Sequence, residues 1–407
     1  MNLHPSGSAA IRSEPAARSP GKLASGAAAL EVARALVPKL RARARETEQQ
    51  RRLPDATIDE LQAGGLFGLV TPRVFGGSEL GFATLVEVTA ELASGCGSTG
   101  WVFGVLSGHN WVLGLFDPAA QREVFSDQCS LVATVIRLGG APPQKVEGGY
   151  RFANAEGRFC SGIDHSDWII VGAAVDNGSA ARDPRYFLLP RTDIEVIDDW
   201  YTLGMRGTGS RSIRIRDAFV PDYRSLAFAD MVAGSTPGGK FHNSALFRLP
   251  FTDVLPMSFA GAPIGMARAL LHVFSEGLER KLKGLSDHQI AEQSPTLARL
   301  AQAAADIDAA FAARFDSCQT GGPLSAPESS RISRDFAYAA QKCRSAAATL
   351  FEASGGSNIY DSSELQRAWR DVNSAAAHTA FTWDVAAPNF ARAMLGLPPC
   401  AFDRRGR

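Results

Sequence analysis

The chain has 407 residues, enough for more than one domain and for a sizeable buried core. Lys and Arg together number 42, and so do Asp and Glu, so no net charge points to nucleic acid or to an anionic membrane as partner. Six scattered cysteines form no CxxC pair and have no His at zinc-ligand spacing, so no metal site is expected and they read as buried thiols of a reducing cytoplasm.

Residues 1–22, a mixture of Ala, Ser, Pro and Arg, read as a disordered tail. They lack the apolar run of a secretory signal, and Glu14 interrupts a transit-peptide pattern. A helical part follows. Leu30, Val32, Leu36, Val37 and Leu40 recur at helical spacing, and RARARETEQQRR supplies a solvated end. Pro54-Asp55 opens a second helix and Gly64-Gly65 closes it. A turn at Gly76-Gly77 precedes an amphipathic helix near residues 85–92. Residues 101–116 then form the longest apolar stretch; Ser107, His109 and Asn110 break it, and it is too short to span a bilayer.

The character changes near Ser130. LVATVIRL, GGYRFANAEGRF, DWIIVGAAV, RYFLLP and SRSIRIRDAFVP are short, β-branched or aromatic, and separated by Gly, Asn and Pro, the pattern of a small barrel or sandwich. Residues 233–244 read as a linker. Ala-rich helices return at about 254–282, 296–318, 332–354 and 375–394, with no internal repeat. The expected division is a tail (1–22), an N-terminal helical domain (23–129), a middle β domain (130–232) and a C-terminal helical bundle (233–407).

Several motifs stand out. Gly355-Gly356-Ser357-Asn358 offers unobstructed backbone N–H groups, although Gly-Gly alone is an ordinary helix cap. Arg370-Asp371 follows, and then His378, Thr379 and Phe381. Gly157-Arg158-Phe159-Cys160-Ser161-Gly162 runs into Asp164-His165-Ser166-Asp167-Trp168. A third motif runs from Asp199 through Gly204-Met205-Arg206-Gly207-Thr208-Gly209-Ser210 to Val220-Pro221. By residue type alone, Ser161 is a turn serine bonding its own backbone, and His165 is a structural histidine. Arg206 either meets a phosphate or forms a surface ion pair, and Lys281 in Glu279-Arg280-Lys281-Leu282-Lys283 lies on a solvated helix face. His109 is either a satisfied core histidine or a cavity group, and Trp111 and Phe381 are cavity walls or core.

Together these motifs resemble the acyl-CoA dehydrogenase fold, from about residue 30 to residue 397. The fold implied is α+β and mostly α: an N-terminal helical domain, a middle β-barrel domain and a C-terminal four-helix bundle. Acyl-CoA dehydrogenases carry a Tyr-Glu-Gly loop after Arg-Asp, whose Glu takes the substrate α-proton. This chain has no such loop, and His378 stands almost in its place. That departure is similar to the flavin-dependent monooxygenases of the same fold, the oxygenase components of two-component systems such as p-hydroxyphenylacetate hydroxylase.

The resemblance implies reduced FMN or FAD delivered by a separate NAD(P)H:flavin reductase, O2 as co-substrate, a C4a-hydroperoxyflavin and hydroxylation of an aromatic, phenolic small molecule. No GxGxxG unit for a nicotinamide follows an early strand. It further implies Ser161 at flavin N5, Phe159 on the isoalloxazine, and Arg206, Lys281, Gly355, Gly356 and Ser357 as cofactor contacts. Some of those contacts would come from a neighbouring subunit of a homotetramer. His378, Ser161 and His109 are the expected catalytic residues, with His378 either taking the phenol proton or bonding a substrate oxygen. S- or N-oxygenation, a carboxylate-dependent flavin dehydrogenase or nitroalkane oxidase, and a silent scaffold are the alternatives.

Overall fold

The computed structural model describes residues 21–127, 129–176, 183–312 and 324–400. The expected tail up to residue 20, Cys318 and the end of the helix expected at 296–318 lie outside those residues. Five helices come first: α1 (Gly26–Gln50), α2 (Asp55–Ala63), α3 (Phe82–Gly95), α4 (Gly97–Leu113) and α5 (Pro118–Phe125). Ser25 caps α1 by accepting the Ala28 N–H at 3.2 Å. The buried stripe of α1 is Ala29, Ala33, Leu36, Leu40 and Ala44, so the core face is largely alanine, and Val32 and Val37 flank it. Small residues suit this face because α1 lies close on α3: a Cβ on Gly95 would come within 2.8 Å of the Val37 carbonyl oxygen.

The β region follows, as β1 (Val132–Val135), β2 (Gly139–Gly140), β3 (Gln144–Val146), β4 (Gly149–Phe152), β5 (Ala155–Cys160), β6 (Trp168–Val175), β7 (Asp183–Pro190), β8 (Glu195–Ile197), β9 (Arg211–Ile215), β10 (Ala218–Pro221) and β11 (Ser225–Ala227). Among the described residues these strands pair as three small sheets, ordered β1-β6-β7-β11, β10-β4-β3 and β2-β5-β9-β8. Among the described strand ladders only β1 on β6 is parallel. The ladder of β5 on β9 slips between Gly157 and Cys160, a bulge that bends the strand end.

The stretch expected as a linker is folded. Short helices α6 (Phe228–Ala233) and α7 (Pro237–His242) occupy it, because Thr236 caps the Gly239 N–H at 3.1 Å and Pro237 presets the first turn. The C-terminal part comprises α8 (Phe251–Val254), α9 (Met257–Leu282), α10 (Asp287–Ala291), α11 (Ser294–Phe311), α12 (Ala326–Ala353), α13 (Glu364–Ala375) and α14 (Trp383–Met394). The helix expected over 375–394 starts only at Trp383: α13 has ended at Ala375, His378 is extended with ψ 141°, and a 3-10 turn over Thr379–Phe381 precedes α14. Phe251–Leu282 is long and apolar enough to cross a membrane by length and composition. However, 78% of its most apolar window is buried inside the fold, which identifies it as a core helix.

α9 is the centre of the helical packing, against α3, α4, α11, α12 and α13. Glycines make the closest crossings. A Cβ on Gly261 or Gly265 would stand 2.1 Å from the carbonyl oxygen of Val86 or Ala90 on α3, and one on Gly104 would stand 2.2 Å from the Ser258 carbonyl oxygen. Helix propensity alone predicts that Gly265→Ala stabilises the protein by about 0.5–1 kcal/mol. The carbonyl at 2.1 Å predicts the opposite sign, because overpacking against backbone costs about 1–3 kcal/mol. We expect the denaturant midpoint of Gly265→Ala to fall; a rise would show that α3 and α9 separate freely.

Candidate active site

The bulge at the end of β5 sets the first part of the site. Phe159 adopts φ 65°, a left-handed conformation uncommon for a bulky residue, and Gly162 follows with φ 72°. The bend turns Cys160 into the core and leaves Phe159 69% exposed, its ring edge-on to Trp200 at 6.1 Å. Cys160 is not a reactive thiol, since burial pushes its ionisation far above the ordinary range. Ser161 comes next. Its hydroxyl accepts the Trp101 indole N–H at 3.3 Å and lies 2.7 Å from the Ser210 hydroxyl.

The loop before β9 sets the second part. Met205 has φ 57°, and its carbonyl accepts the Thr208 hydroxyl at 2.9 Å and the Trp200 indole N–H at 3.0 Å. Thr208 is in turn 2.7 Å from Ser210. From α13 the Asp371 carboxylate accepts the Met205 N–H at 2.6 Å, while the Arg370 guanidinium donates to the Leu203 carbonyl at 2.6 Å and pairs with Glu48 of α1 at 2.6 Å. Burial pushes the Asp371 carboxyl up to about 6, with the Met205 N–H opposing the rise. The neighbouring strap is pinned by Arg51 on Asp198 at 2.6 Å, by Arg211 on both Asp198 and Asp164, and by the Arg51 guanidinium 4.0 Å over the Tyr201 ring. Arg51 is the main reason that the Asp198 carboxyl sits below its usual range.

The third part is aromatic. His378 precedes the 3-10 turn, and its ring meets Phe259 at 4.8 Å, Trp101 at 5.6 Å and Phe381 at 6.0 Å. The Trp101 and Phe259 rings are 5.0 Å apart, brought together by the tight α4–α9 crossing at Gly104. His378 Nδ1 accepts the Ala380 N–H at 3.2 Å. Enclosure by rings lowers its pKa to about 4, so the imidazole is neutral at pH 7 and its single hydrogen sits on Nε2. In this tautomer the ring presents a donor.

Ser161 and His378, two of the three expected catalytic residues, are thus joined through Trp101. The third, His109, lies on α4 with Nδ1 bonded to the Val132 carbonyl at 3.0 Å, which assigns a proton to that nitrogen. Burial lowers its pKa to about 4. His165 is buried and 3.5 Å from Asp55. Trp111 is core, donating to the Leu246 carbonyl at 2.8 Å, whereas Phe381 is part of the aromatic enclosure. Arg206 is exposed and already donates to the Thr202 carbonyl at 2.7 Å, with Glu48 at 3.8 Å. Gly355, Gly356 and Ser357 lie exposed after α12, with nothing within 4 Å of a Cβ on either glycine. They take no part in the contacts that join Ser161, Trp101 and His378. Lys281 is exposed near the end of α9, 22 residues beyond Phe259. At 1.5 Å per residue that is about 33 Å along the helix from the aromatic enclosure.

Several site residues escaped the sequence reading. Trp101 was simply the start of an apolar segment, and Phe259 one of many apolar residues on α9. Thr208 and Ser210 stood in a motif without roles. Thr134, on β1 beside β5, has a buried hydroxyl oxygen with no hydrogen-bond partner. Its only sequence signal was a polar residue inside LVATVIRL.

Comparisons with known proteins bear on the family and the fold. Residues 27–145 match the family model described as acyl-CoA dehydrogenase, N-terminal domain, and residues 257–383 match acyl-CoA dehydrogenase, C-terminal domain. The chain is 35% identical to a flavin-dependent monooxygenase, oxygenase subunit HsaA, of Mycobacterium tuberculosis, over 89% of this chain and 94% of that protein. It is 32% identical to the oxygenase component of an FADH(2)-dependent resorcinol hydroxylase of Rhizobium sp., over 88% of this chain and 92% of that protein. The crystal structure of the M. tuberculosis HsaA monooxygenase superposes with a TM-score of 0.84 at 32% identity, covering 92% of this chain and 99% of that one.

The buried His109 has a measurable consequence. A folded pKa near 4 against an ordinary value near 6.5 means that the unfolded chain binds more protons between those pH values. The stability that neutral His109 contributes is therefore complete above pH 6.5 and is lost as pH falls toward 4, about 2 kcal/mol by pH 5. Asp371, raised to about 6, acts in the opposite direction over part of the same range. We therefore expect the difference to be clear only by comparison: His109→Gln should flatten the loss of stability between pH 7 and pH 5, measured by urea unfolding. Identical slopes would show that His109 protonates equally in both states.

Proposed function

The chain belongs to the flavin-dependent monooxygenases built on the acyl-CoA dehydrogenase fold, and we propose that it is the oxygenase component of a two-component system hydroxylating a small phenolic compound. The observation that carries this reading is the joining of Ser161 to His378 through Trp101, with an exposed aromatic face at Phe159 and Trp200 beside it. Three features suit a flavin here. Ser161 keeps an open lone pair for N5–H, Phe159 and Trp200 offer a ring face, and the Thr134 hydroxyl is buried without a partner on the adjacent strand. Reduced FMN or FAD from a separate reductase, when bound, supplies the two electrons that let O2 place one oxygen atom on the substrate and release the other as water.

The protein's own residues position and polarise. Trp101, Phe259 and Phe381 exclude water from the volume around His378, which strengthens every polar contact made there. His378 would donate its Nε2–H to the phenolic oxygen and so favour the phenolate over the neutral phenol; the phenol proton passes to solvent, and the charge of the phenolate enriches the ortho carbon in electron density. Taking the phenol proton itself would require His378 to give up the Ala380 contact, so of its two expected roles the donor role fits better. A carboxylate-based dehydrogenase reaction lacks its base: Asp371 is committed to Met205, and Asp384 is exposed. The enzyme would work as an oligomer, in which Lys281 and the exposed Gly355-Gly356 turn of a neighbouring subunit serve the flavin.

His378→Ala should leave reduced-flavin binding intact and lower hydroxylation of phenolic substrates by about a hundredfold, while His378→Gln, which retains an N–H donor, should recover part of the loss. Unchanged turnover in His378→Ala would remove the residue from the mechanism. Ser161→Ala should shift the outcome from hydroxylated product to hydrogen peroxide. An unaltered ratio of product to peroxide, measured during turnover, would place N5 elsewhere.

A further inference from the structure

The hydroxyl groups behind Ser161 form a chain whose direction is determined at both ends. At one end stands the Trp101 indole N–H, which can only donate, 3.3 Å from Ser161. At the other stands the Met205 carbonyl, which can only accept, 2.9 Å from the Thr208 hydroxyl. Between them lie the contacts Ser161–Ser210 and Ser210–Thr208, both at 2.7 Å. Four contacts must be made with four hydrogens, one each from Trp101, Ser161, Ser210 and Thr208. Thr208 spends its hydrogen on Met205, so Ser210 must donate to Thr208 and Ser161 must donate to Ser210. Only one assignment satisfies every contact.

The consequence falls on Ser161. Its hydrogen points away from the site, one lone pair is filled by Trp101, and the remaining lone pair is free. Toward a ligand it can therefore act only as an acceptor. The far end is equally constrained, because Met205 has a left-handed backbone and is held by Asp371 through its N–H at 2.6 Å. Ser210 and Thr208 are buried, so water does not compete for their hydrogens.

We infer that Ser210 and Thr208 are positioning residues that make the site select reduced over oxidised flavin by fixing the Ser161 hydroxyl as an acceptor. The inference rests on the reading that flavin N5 meets Ser161. Reduced flavin carries a hydrogen on N5 and donates it; oxidised flavin has a bare N5 that requires a donor. A site that can only accept binds the reduced form and releases the oxidised one, which suits a protein that takes its flavin from a reductase and returns it.

The relay makes opposite predictions for the two redox forms. Removing Ser210 frees the Ser161 hydrogen to turn toward the ligand. Replacing Thr208 by Val leaves Ser210 with only Ser161 as partner, so Ser161 then accepts twice and again presents its own hydrogen. The test is anaerobic titration with dithionite-reduced FMN and FAD, paired with aerobic titration with the oxidised flavins, for the wild type, Ser210→Ala, Thr208→Val, Thr208→Ser and Ser161→Ala. In Ser210→Ala and Thr208→Val the ratio of oxidised to reduced Kd should narrow by about tenfold, the scale of one hydrogen bond. Thr208→Ser, which keeps the hydroxyl, should retain the wild-type ratio. Merely loosened packing would weaken both forms together, so an unchanged ratio in Ser210→Ala and Thr208→Val overturns the relay. If that happens while Ser161→Ala does change the ratio, the N5 contact survives and only the relay fails. If Ser161→Ala also leaves both constants unchanged, the relay and the placement of N5 at Ser161 fail together.

Discussion

The bond from the Met205 N–H to the Asp371 carboxylate is the constraint on which the site depends. It crosses 166 positions of sequence, from the loop before β9 to the helical bundle, and it holds a non-glycine residue in a left-handed conformation. A buried carboxylate is costly, as the rise of its pKa to about 6 records. The cost is borne next to Arg370, which grips the same loop at Leu203 and ties it to α1 through Glu48. Arg370 and Asp371 therefore act as one clip joining the first helix, the β region and the bundle. They reach Ser161 indirectly, through Met205, Thr208 and Ser210.

The aromatic wall depends on a different constraint, close helix approach. Gly104 on α4 and Gly261 and Gly265 on α9 let backbones come within a distance that a Cβ would block. Only at that spacing do Trp101 and Phe259 pack at 5.0 Å and enclose the His378 ring. The enclosure keeps His378 neutral, and the Ala380 N–H selects its tautomer. The glycines beside Trp101 and Phe259 on their helices and the protonation state of one histidine are thus parts of the same packing problem.

The order of helices, strands and helices was legible because it is written in local periodicity and turn residues, and the family was legible because Gly355-Gly356, Arg370-Asp371 and Ser161-Gly162 keep characteristic spacings. What local signals could not supply was contact between distant segments. The gap between Ala375 and Trp383 was invisible because the run of alanines at 375–377 reads as helix, and the fold of residues 237–242 was hidden behind Gly and Pro, which read equally as linker and as a capped short helix. Val32 and Val37 looked like core by hydrophobicity, yet the tight α1–α3 contact prefers Ala29 and Ala33. Trp101 reached the site only because it lies 60 positions before Ser161 and folds back onto it.

The site's polarity follows from the same long-range closure. A lone serine hydroxyl in a turn can rotate, and sequence assigns it no direction. Ser161 loses that freedom because Trp101 arrives from one domain with a hydrogen to give, while Met205, held by Asp371, offers a carbonyl that must receive one. Two fixed ends and two intervening hydroxyls leave a single arrangement of hydrogens, so a property of one oxygen atom is set by contacts spanning the N-terminal helices, the β region and the bundle. Substitutions at Asp371 or Gly204, which lies with its Cβ position 2.4 Å from the Arg370 carbonyl oxygen, would therefore act on Ser161 without touching it. The polarity of Ser161 is in this sense a property of contacts between segments far apart in sequence.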